Sequence, residues 1–177
     1  RLTVVQNVYN EFWNFIFTVY TRYATHKTID LELLSQKAKE LCIFVKVNRR
    51  YVLQIHPNCD QDPKNFLIAH SLRSAVLAIT VGLQLHMSVP KMTELATACI
   101  LHEIGMIRLP SQLYLSHRPL SPVEKNLLNT HPIISYTILK EMNVPLGICL
   151  AVLEHHEKED GTGYPRHMSR DKISLYA

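Results

Sequence analysis

Residues 154–165 have the sequence Glu154-His155-His156-Glu157-Lys158-Glu159-Asp160-Gly161-Thr162-Gly163-Tyr164-Pro165, in which two histidines between acids precede a glycine-rich loop. Two further histidine motifs lie upstream, His131-Pro132 and Leu101-His102-Glu103-Ile104-Gly105, and a fifth histidine, His70, lies in a helical pattern. Neutral imidazole is the commonest metal-binding side chain, because its ring nitrogen offers a lone pair without a charge. Five histidines in one apolar, helix-patterned stretch therefore predict a metal centre.

Four of the five histidines, taken alone, also have an ordinary structural explanation. His70, on a helix with apolar residues three and four positions apart, is typical of a hydrogen-bonded core histidine. His131 precedes a proline at a predicted helix start, and the pair His155-His156 is compatible with a solvated surface. If that pair is helical, its two rings point about 100° apart and can face two different ions.

The composition favours a globular protein of one or two domains. The 177 residues are 47% hydrophobic and 19% charged with a net charge of +4, and the basic residues are not clustered as in a protein that binds a nucleic acid polymer. The longest apolar run, near residues 12–20, is shorter than the roughly 20 residues of a membrane span. Four cysteines without CxxC spacing predict reduced thiols, and we therefore expect a cytoplasmic location without a membrane span.

The spacing of apolar residues predicts an all-α fold. Asp30 is the expected cap of one helix, and the other predicted helices cover residues 3–23, 64–86, 91–104, 121–129, 132–142 and 145–157. Alternating apolar residues predict one short extended segment over residues 50–57. The polar segment 58–63 predicts a linker between an N-terminal module, 1–60, and a second domain, 61–177.

The order and spacing of the histidine motifs resemble those of HD-GYP proteins, a branch of the HD-type metal-dependent phosphohydrolases. That family has a helix histidine, an HD-I-G-K motif, an H-P pair, and H-H-E followed by D-G-x-G-Y-P. The counterparts in this chain are His70, His102-Glu103-Ile104-Gly105-Met106, His131-Pro132, and the stretch from His155 to Pro165. The resemblance covers about residues 66–177 and implies a helical HD-domain bundle lacking its C-terminal part. Residues 1–60 would form a small, mainly helical module of unknown role.

The function that the resemblance implies is the hydrolysis of cyclic di-GMP to pGpG or GMP by a hydroxide that two divalent metal ions, iron or manganese, activate. It implies Glu103 as the catalytic carboxylate and, as metal ligands, His70, His102, Glu103, His131, His155 and His156. Arg73, Arg108 and Arg118 are the basic residues that we expect to contact the substrate phosphates. In the family the loop containing Gly161, Gly163, Tyr164 and Pro165 is associated with contacts to GGDEF-domain proteins, and a homodimer is a further expected partner.

Four departures from the family pattern qualify this expectation. Glu103 replaces the usual Asp, Met106 replaces the usual Lys, and Phe66 stands where three-metal members have a Glu. The last Asp ligand of the family would lie beyond Ala177. We therefore expect two ions rather than three, and slow turnover because of Glu103 and Met106. A non-catalytic sensor or adaptor, and an HD-type hydrolase of another nucleotide, are the competing interpretations.

Overall fold

The computed structural model describes residues 1–55 and 63–177, and α-helices account for most of these residues. Within the described ranges there are eight α-helices and no strand: α1 (Leu2–His26), α2 (Leu31–Val52), α3 (Pro63–Gln84), α4 (Val89–Leu101), α5 (Gln112–Leu115), α6 (Pro122–Leu128), α7 (His131–Glu141) and α8 (Leu146–Glu154). Two short 3-10 helices cover Ile104–Arg108 and Arg170–Lys172. The predicted all-α fold is confirmed.

The chain forms two compact units, residues 1–100 and 101–177. The predicted boundary between residues 60 and 61, and most of the predicted linker, lie outside the described residues. The expected division into a module of residues 1–60 and a domain of residues 61–177 therefore stays a prediction.

The first unit is a bundle in which α1, α2 and α3 pack against one another. Asp30 begins α2 as predicted, because its carboxylate accepts a hydrogen bond of 3.0 Å from the amide of Leu33. The buried side chains recur at helical spacing, and the largest of them are Ile16, Tyr23, Leu34, Leu41, Leu72 and Ile79.

One tyrosine connects three helices of this bundle. The Tyr20 hydroxyl group on α1 donates to the carbonyl of Ile100 on α4 at 2.9 Å and lies 3.1 Å from the hydroxyl of Ser71 on α3. All three residues are buried. Because buried polar groups need partners, this contact fixes the three helices relative to one another as well as filling space.

The second unit is built around α7, which packs against α8 and against the 3-10 helix Ile104–Arg108. Its largest fully buried side chains are Leu101, Ile104, His131, Ile138 and Leu139. A fully buried histidine among aliphatic residues is unusual, because imidazole is polar and needs a partner on each ring nitrogen. The fold of this unit therefore places a polar group at the centre of its core.

Two expectations about local structure are wrong. Residues 50–52 continue α2 and residues 53 and 54 form a turn, so the alternation of apolar residues does not mark an extended segment in the described part of 50–57. The last helix ends at Glu154, and His155 and His156 lie in the turn that follows. The geometry of this histidine pair is therefore set by the turn and not by helical periodicity.

One helix among the described residues, Asn65–Gln84 within α3, is long and apolar enough to cross a membrane by length and composition alone, with a mean hydropathy of 1.7. Half of that window is buried within the protein. A buried core helix meets the same criterion, so this helix is weak support for a membrane span.

We predict that Tyr20→Phe lowers the free energy of unfolding by about 1–3 kcal/mol, because it leaves the buried carbonyl of Ile100 without its side-chain donor. Urea unfolding followed by circular dichroism measures the change. Tyr136→Phe, at a half-buried position on α7, is the matched control and should change the midpoint little. Equal effects of the two variants would contradict the role assigned to Tyr20.

Candidate metal centre

Four of the predicted metal ligands converge in the second unit. The ligating atoms of Glu103, His131, His155 and His156 all lie within 4.8 Å of one another. Glu103 precedes a 3-10 helix, His131 is the first residue of α7, and the other two histidines follow α8. Three separate segments of the chain therefore bring their side chains to one point.

The hydrogen bonds of two histidines fix which ring nitrogens face this point. His131 Nδ1 lies 2.8 Å from the carbonyl of Leu128, and His155 Nδ1 lies 2.7 Å from the carbonyl of Val152. A carbonyl only accepts, so each Nδ1 carries the proton and each neutral ring has a lone pair on Nε2. The two Nε2 atoms are 3.2 Å apart. Two lone pairs at that distance repel each other, and a cation between them removes the repulsion. This is the arrangement by which metal-binding histidines are oriented in proteins.

The carboxylate of Glu103 lies among the same rings. Its Oε1 is 3.3 Å from His102 Nε2 and 3.9 Å from His155 Nε2, and its Oε2 is 3.7 Å from His131 Nε2. Only 5% of Glu103 is exposed, although burying a charged carboxylate is costly unless it is compensated. The two oxygens face different histidines, which is the geometry of a carboxylate that can serve two ions.

The electrostatics keep these groups in the protonation states that bind metal. Burial lowers the pKa of His155 from 6.5 to about 2, with smaller contributions from His102 and His156. Burial also lowers the pKa of His131. Burial raises the pKa of Glu103, but the hydrogen bond from His102 and the surrounding imidazoles lower it to about 2. At neutral pH the rings of His131 and His155 are therefore neutral and Glu103 is ionised.

A serine and a glycine hold two of the histidine segments together. The Ser135 hydroxyl on α7 donates to the carbonyl of His102 at 3.0 Å and accepts from the amide of Gly105 at 2.8 Å. A Cβ atom at Gly105 would lie 2.6 Å from the carbonyl oxygen of His131, so only glycine permits this approach. The segment that carries His102 is therefore fixed directly to the start of α7.

The glycine-rich loop lies against the last histidine. The Tyr164 ring stacks on the His156 ring at a centroid distance of 4.6 Å and an interplanar angle of 17°. The Tyr164 amide donates to the carbonyl of His156 at 3.2 Å, and the peptide bond between Tyr164 and Pro165 is cis. Burial raises the pKa of Tyr164 to about 12, with a further contribution from Glu103. The Tyr164 hydroxyl therefore stays protonated at neutral pH.

The remaining predicted site residues belong to other segments of the chain. His70 is on α3 in the first unit, where its ring stacks with that of Phe66 at a centroid distance of 5.8 Å. Its role as a ligand stays a prediction. Arg73 donates to the carbonyl of Ile55 at 3.4 Å. Arg108 is exposed at the end of a 3-10 helix, and Arg118 forms a bidentate pair with Glu124. Their contacts with substrate phosphate stay predictions too.

Sequence reasoning missed three residues that support the site. Ser135 lies four positions after His131 and thus on the same face of a helix, a spacing that could have identified it. Glu154 and Arg166 form an ion pair across the loop, with Glu154 only 3% exposed. No local sequence pattern indicates that ion pair, because it forms only when the chain after the glycine-rich loop folds back onto the end of α8.

Comparison with known proteins identifies the family. The sequence model described as HD domain matches residues 59–177, about two thirds of the chain. The chain belongs to the HD domain family. The predicted resemblance is thereby confirmed.

Three relatives of this HD domain have names that describe their substrates. Cyclic di-GMP phosphodiesterase PdeB of Borreliella burgdorferi is 35% identical over 111 residues, which are 63% of this chain and 29% of the relative. A cyclic di-GMP phosphodiesterase of Thermotoga maritima is 35% identical over 109 residues, 60% of this chain and 29% of the relative. The 3'3'-cGAMP-specific phosphodiesterase 3 of Vibrio cholerae is 31% identical over 110 residues, 62% of this chain and 24% of the relative. The chain thus spans less than a third of the length of each.

The histidine cluster of this HD domain predicts a loss of stability in acid. His155 stays neutral in the folded metal-free protein, whereas in the unfolded chain it takes up a proton below about pH 6.5. The unfolded state then binds more protons, so the free energy of unfolding falls as the pH drops from about 6.5, by up to about 1.4 kcal/mol per pH unit for one proton. Below the ordinary pKa of 4.5 for a glutamate, Glu103 acts in the same direction.

Urea unfolding at pH 7, 6 and 5 in the presence of a chelator measures this dependence. His155→Gln should flatten it between pH 6.5 and 5, whereas His117→Gln, at an exposed loop position, should leave it unchanged. Parallel pH profiles for wild type and His155→Gln would show that His155 is not held neutral.

Proposed function

We propose that this HD domain is the catalytic part of a metal-dependent phosphodiesterase that hydrolyses cyclic di-GMP. One observation carries the proposal: Nε2 of His131 and Nε2 of His155 face each other at 3.2 Å beside an ionised carboxylate. A site that concentrates lone pairs and negative charge in this way needs a cation. The named activities of the relatives give the class of reaction.

Two ions, iron or manganese, fit the donor set better than one. Glu103, His131, His155 and His156 would hold the first, and Glu103 together with His102 would contribute to the second. His70 is the further ligand that the family resemblance assigns to the second ion. When bound, such ions supply Lewis acidity, which polarises a phosphate oxygen and makes water acidic enough to give hydroxide at neutral pH.

The chain's own residues hold this machinery in place during hydrolysis. Glu103 supplies a fixed negative charge at the centre of the site, and Ser135 fixes the backbone of His102. The burial of Glu103 and His131 limits the water around the reacting groups, which strengthens electrostatic interactions there. Each turnover opens one phosphodiester bond and consumes one water molecule, which gives linear pGpG.

Arg73, Arg108 and Arg118 remain the proposed contacts for the substrate phosphates. Arg118 already holds the Glu124 carboxylate with two hydrogen bonds, so it must exchange that carboxylate for a phosphate. Arg108 and Arg118 lie in the same unit as Glu103, and Arg108, which follows Glu103 by five residues, is exposed.

The proposed function also implies protein partners and a cellular location for this chain. The loop of Gly161, Gly163, Tyr164 and Pro165 is the surface that we propose for a GGDEF-domain protein, and a homodimer is the further assembly that we propose. We propose a cytoplasmic protein, since cyclic dinucleotides are intracellular signals in the family that the motifs resemble.

A second candidate function is that of a sensor or adaptor that retains the fold without significant turnover. Met106 favours it, because this residue takes the place of the family's lysine and only 6% of it is exposed. A buried methionine supplies no cation for a phosphate. This candidate predicts binding of cyclic di-GMP without product.

The test measures metal-dependent hydrolysis by wild type and by a variant that lacks one proposed metal ligand. Protein loaded with Mn²⁺ or, without oxygen, with Fe²⁺ is incubated with cyclic di-GMP or 3'3'-cGAMP, and products are separated by chromatography. We expect cyclic di-GMP to give pGpG, and His131→Ala to lower kcat by at least about a hundredfold, since metal stabilisation of the transition state is worth several kcal/mol. His117→Ala is the control on an exposed loop. Binding of cyclic di-GMP by fully metallated wild type without product would favour the adaptor, and preference for 3'3'-cGAMP would change the substrate.

Slow turnover has its own test at Glu103. Its side chain is one methylene longer than the family's aspartate, and a misplacement of about 1 Å can cost about a hundredfold in rate. We predict that Glu103→Asp raises kcat by about tenfold or more, and that Glu103→Gln, which removes the charge, abolishes turnover. A lower kcat for Glu103→Asp than for wild type would show that the surrounding histidines are arranged for the longer side chain.

A further inference from the structure

The two acids that flank the histidine pair bind the segment that returns after the glycine-rich loop. Glu154 is the last residue of α8, and its carboxylate accepts a hydrogen bond from the Arg166 guanidinium on one oxygen and from the Ser174 amide, at 2.6 Å, on the other. The carboxylate is 3% exposed. A buried charge is tolerated only when it is paired and hydrogen-bonded, so these contacts are needed to keep Glu154 where it is.

Glu157 holds the same segment from the other side of the pair. Its two oxygens accept hydrogen bonds from the amide of Arg166 at 2.6 Å and from the amide of Met168 at 2.9 Å. Arg166 is therefore bound twice, by its side chain to Glu154 and by its backbone to Glu157. Four donors of residues 166–174 are thus distributed over the two carboxylates.

At Gly163, the glycine-rich loop is in direct contact with the backbone of His156. A Cβ atom at Gly163 would lie 2.4 Å from the carbonyl oxygen of His156 and 2.5 Å from the Cα atom of Glu157, so the two backbones are in closest contact there. The next residue, Tyr164, stacks its ring on the His156 ring. Only one residue, Pro165, separates this stacked tyrosine from Arg166.

We propose that Arg166 is a positioning residue for the metal centre, which acts through its ion pair with Glu154 to hold Tyr164 against the His156 ring. The inference rests on the proposed function, because it assigns His156 to the metal site of that function. Arg166 is the last residue of the segment 164–166, and Tyr164, the first residue of that segment, orients the His156 ring by stacking on it. Without the ion pair, Arg166 keeps only its backbone hydrogen bond to Glu157, so Tyr164 is held less firmly and the His156 ring gains rotational freedom that metal binding must then remove.

The expected size of the effect follows from the behaviour of residues that orient metal ligands. Loss of such a partner typically costs about ten- to a hundredfold in metal affinity or activity. We therefore expect Arg166→Gln to weaken Mn²⁺ binding by about ten- to a hundredfold. Arg166→Lys keeps the charge opposite Glu154 and should recover part of this loss. Arg170→Gln removes the same charge from an exposed position of the same segment and should leave the affinity unchanged.

The experiment combines a Mn²⁺ titration with NMR of the histidine rings in the metal-free protein. The expected result is weaker Mn²⁺ binding together with shifted His156 ring signals in Arg166→Gln, a partial return in Arg166→Lys, and neither change in Arg170→Gln. If Arg166→Gln does not fold, Glu154→Gln combined with Arg166→Gln removes the same ion pair without leaving a buried charge, and is measured instead.

Two outcomes would overturn the inference. One is a Mn²⁺ affinity of Arg166→Gln within twofold of that of Arg170→Gln, and the other is an identical set of His156 ring signals in these two variants. If wild type binds no Mn²⁺, the proposed function fails, and the ring signals of the metal-free protein alone decide whether Arg166 positions His156. If wild type binds Mn²⁺ but does not hydrolyse cyclic di-GMP, the Mn²⁺ titration and the His156 ring signals together still decide whether Arg166 positions His156.

Discussion

The structure of the second unit depends on one constraint, the approach of two imidazole lone pairs to 3.2 Å inside a packed core. His131 is 2% exposed, and its ring lies beside the rings of His155 and His156 and the carboxylate of Glu103. Such a placement is unfavourable for a histidine unless both ring nitrogens are used. A backbone carbonyl uses one nitrogen, and the shared site at the centre of the unit uses the other.

Other contacts of the second unit hold the segments that carry these side chains in place. The 3-10 helix Ile104–Arg108 follows the segment that supplies Glu103, and Ser135 connects that segment to α7. At the other side, α8 ends at Glu154 so that the chain can turn and direct two consecutive histidines inwards. These supports link segments that are far apart in sequence, and the four predicted ligands accordingly lie between residues 103 and 156.

Much of this arrangement was accessible from the sequence. Periodicity located seven of the eight α-helices of the described residues to within a few residues and missed α5, and the motifs contain the four predicted ligands that the fold brings together, since both signals are local. The turn at His155 was not predicted, because whether a helix stops at Glu154 depends on the loop that binds it afterwards. The ion pair of Glu154 with Arg166 was missed for the same reason. The extended segment predicted from Tyr51 and Leu53 was wrong for a different reason. A local alternation of apolar residues suggested a strand, but α2 continues through Val52.

The two glycines that contact histidine-bearing segments have a consequence for how this sequence can change. At Gly105 and at Gly163 the neighbouring atoms lie within 2.4–2.7 Å of where a Cβ would stand, and most of them are backbone atoms. No rotamer adjustment can relieve an overlap with backbone, so even alanine would have to move two chain segments apart. Thr162, which directly precedes Gly163, is exposed, and its amide and hydroxyl groups donate hydrogen bonds to the Asp160 carboxylate. In a library of all single substitutions, both glycines would therefore accept no replacement, while Thr162 would tolerate many. At both positions the close approach of a second backbone segment leaves no room for a side chain.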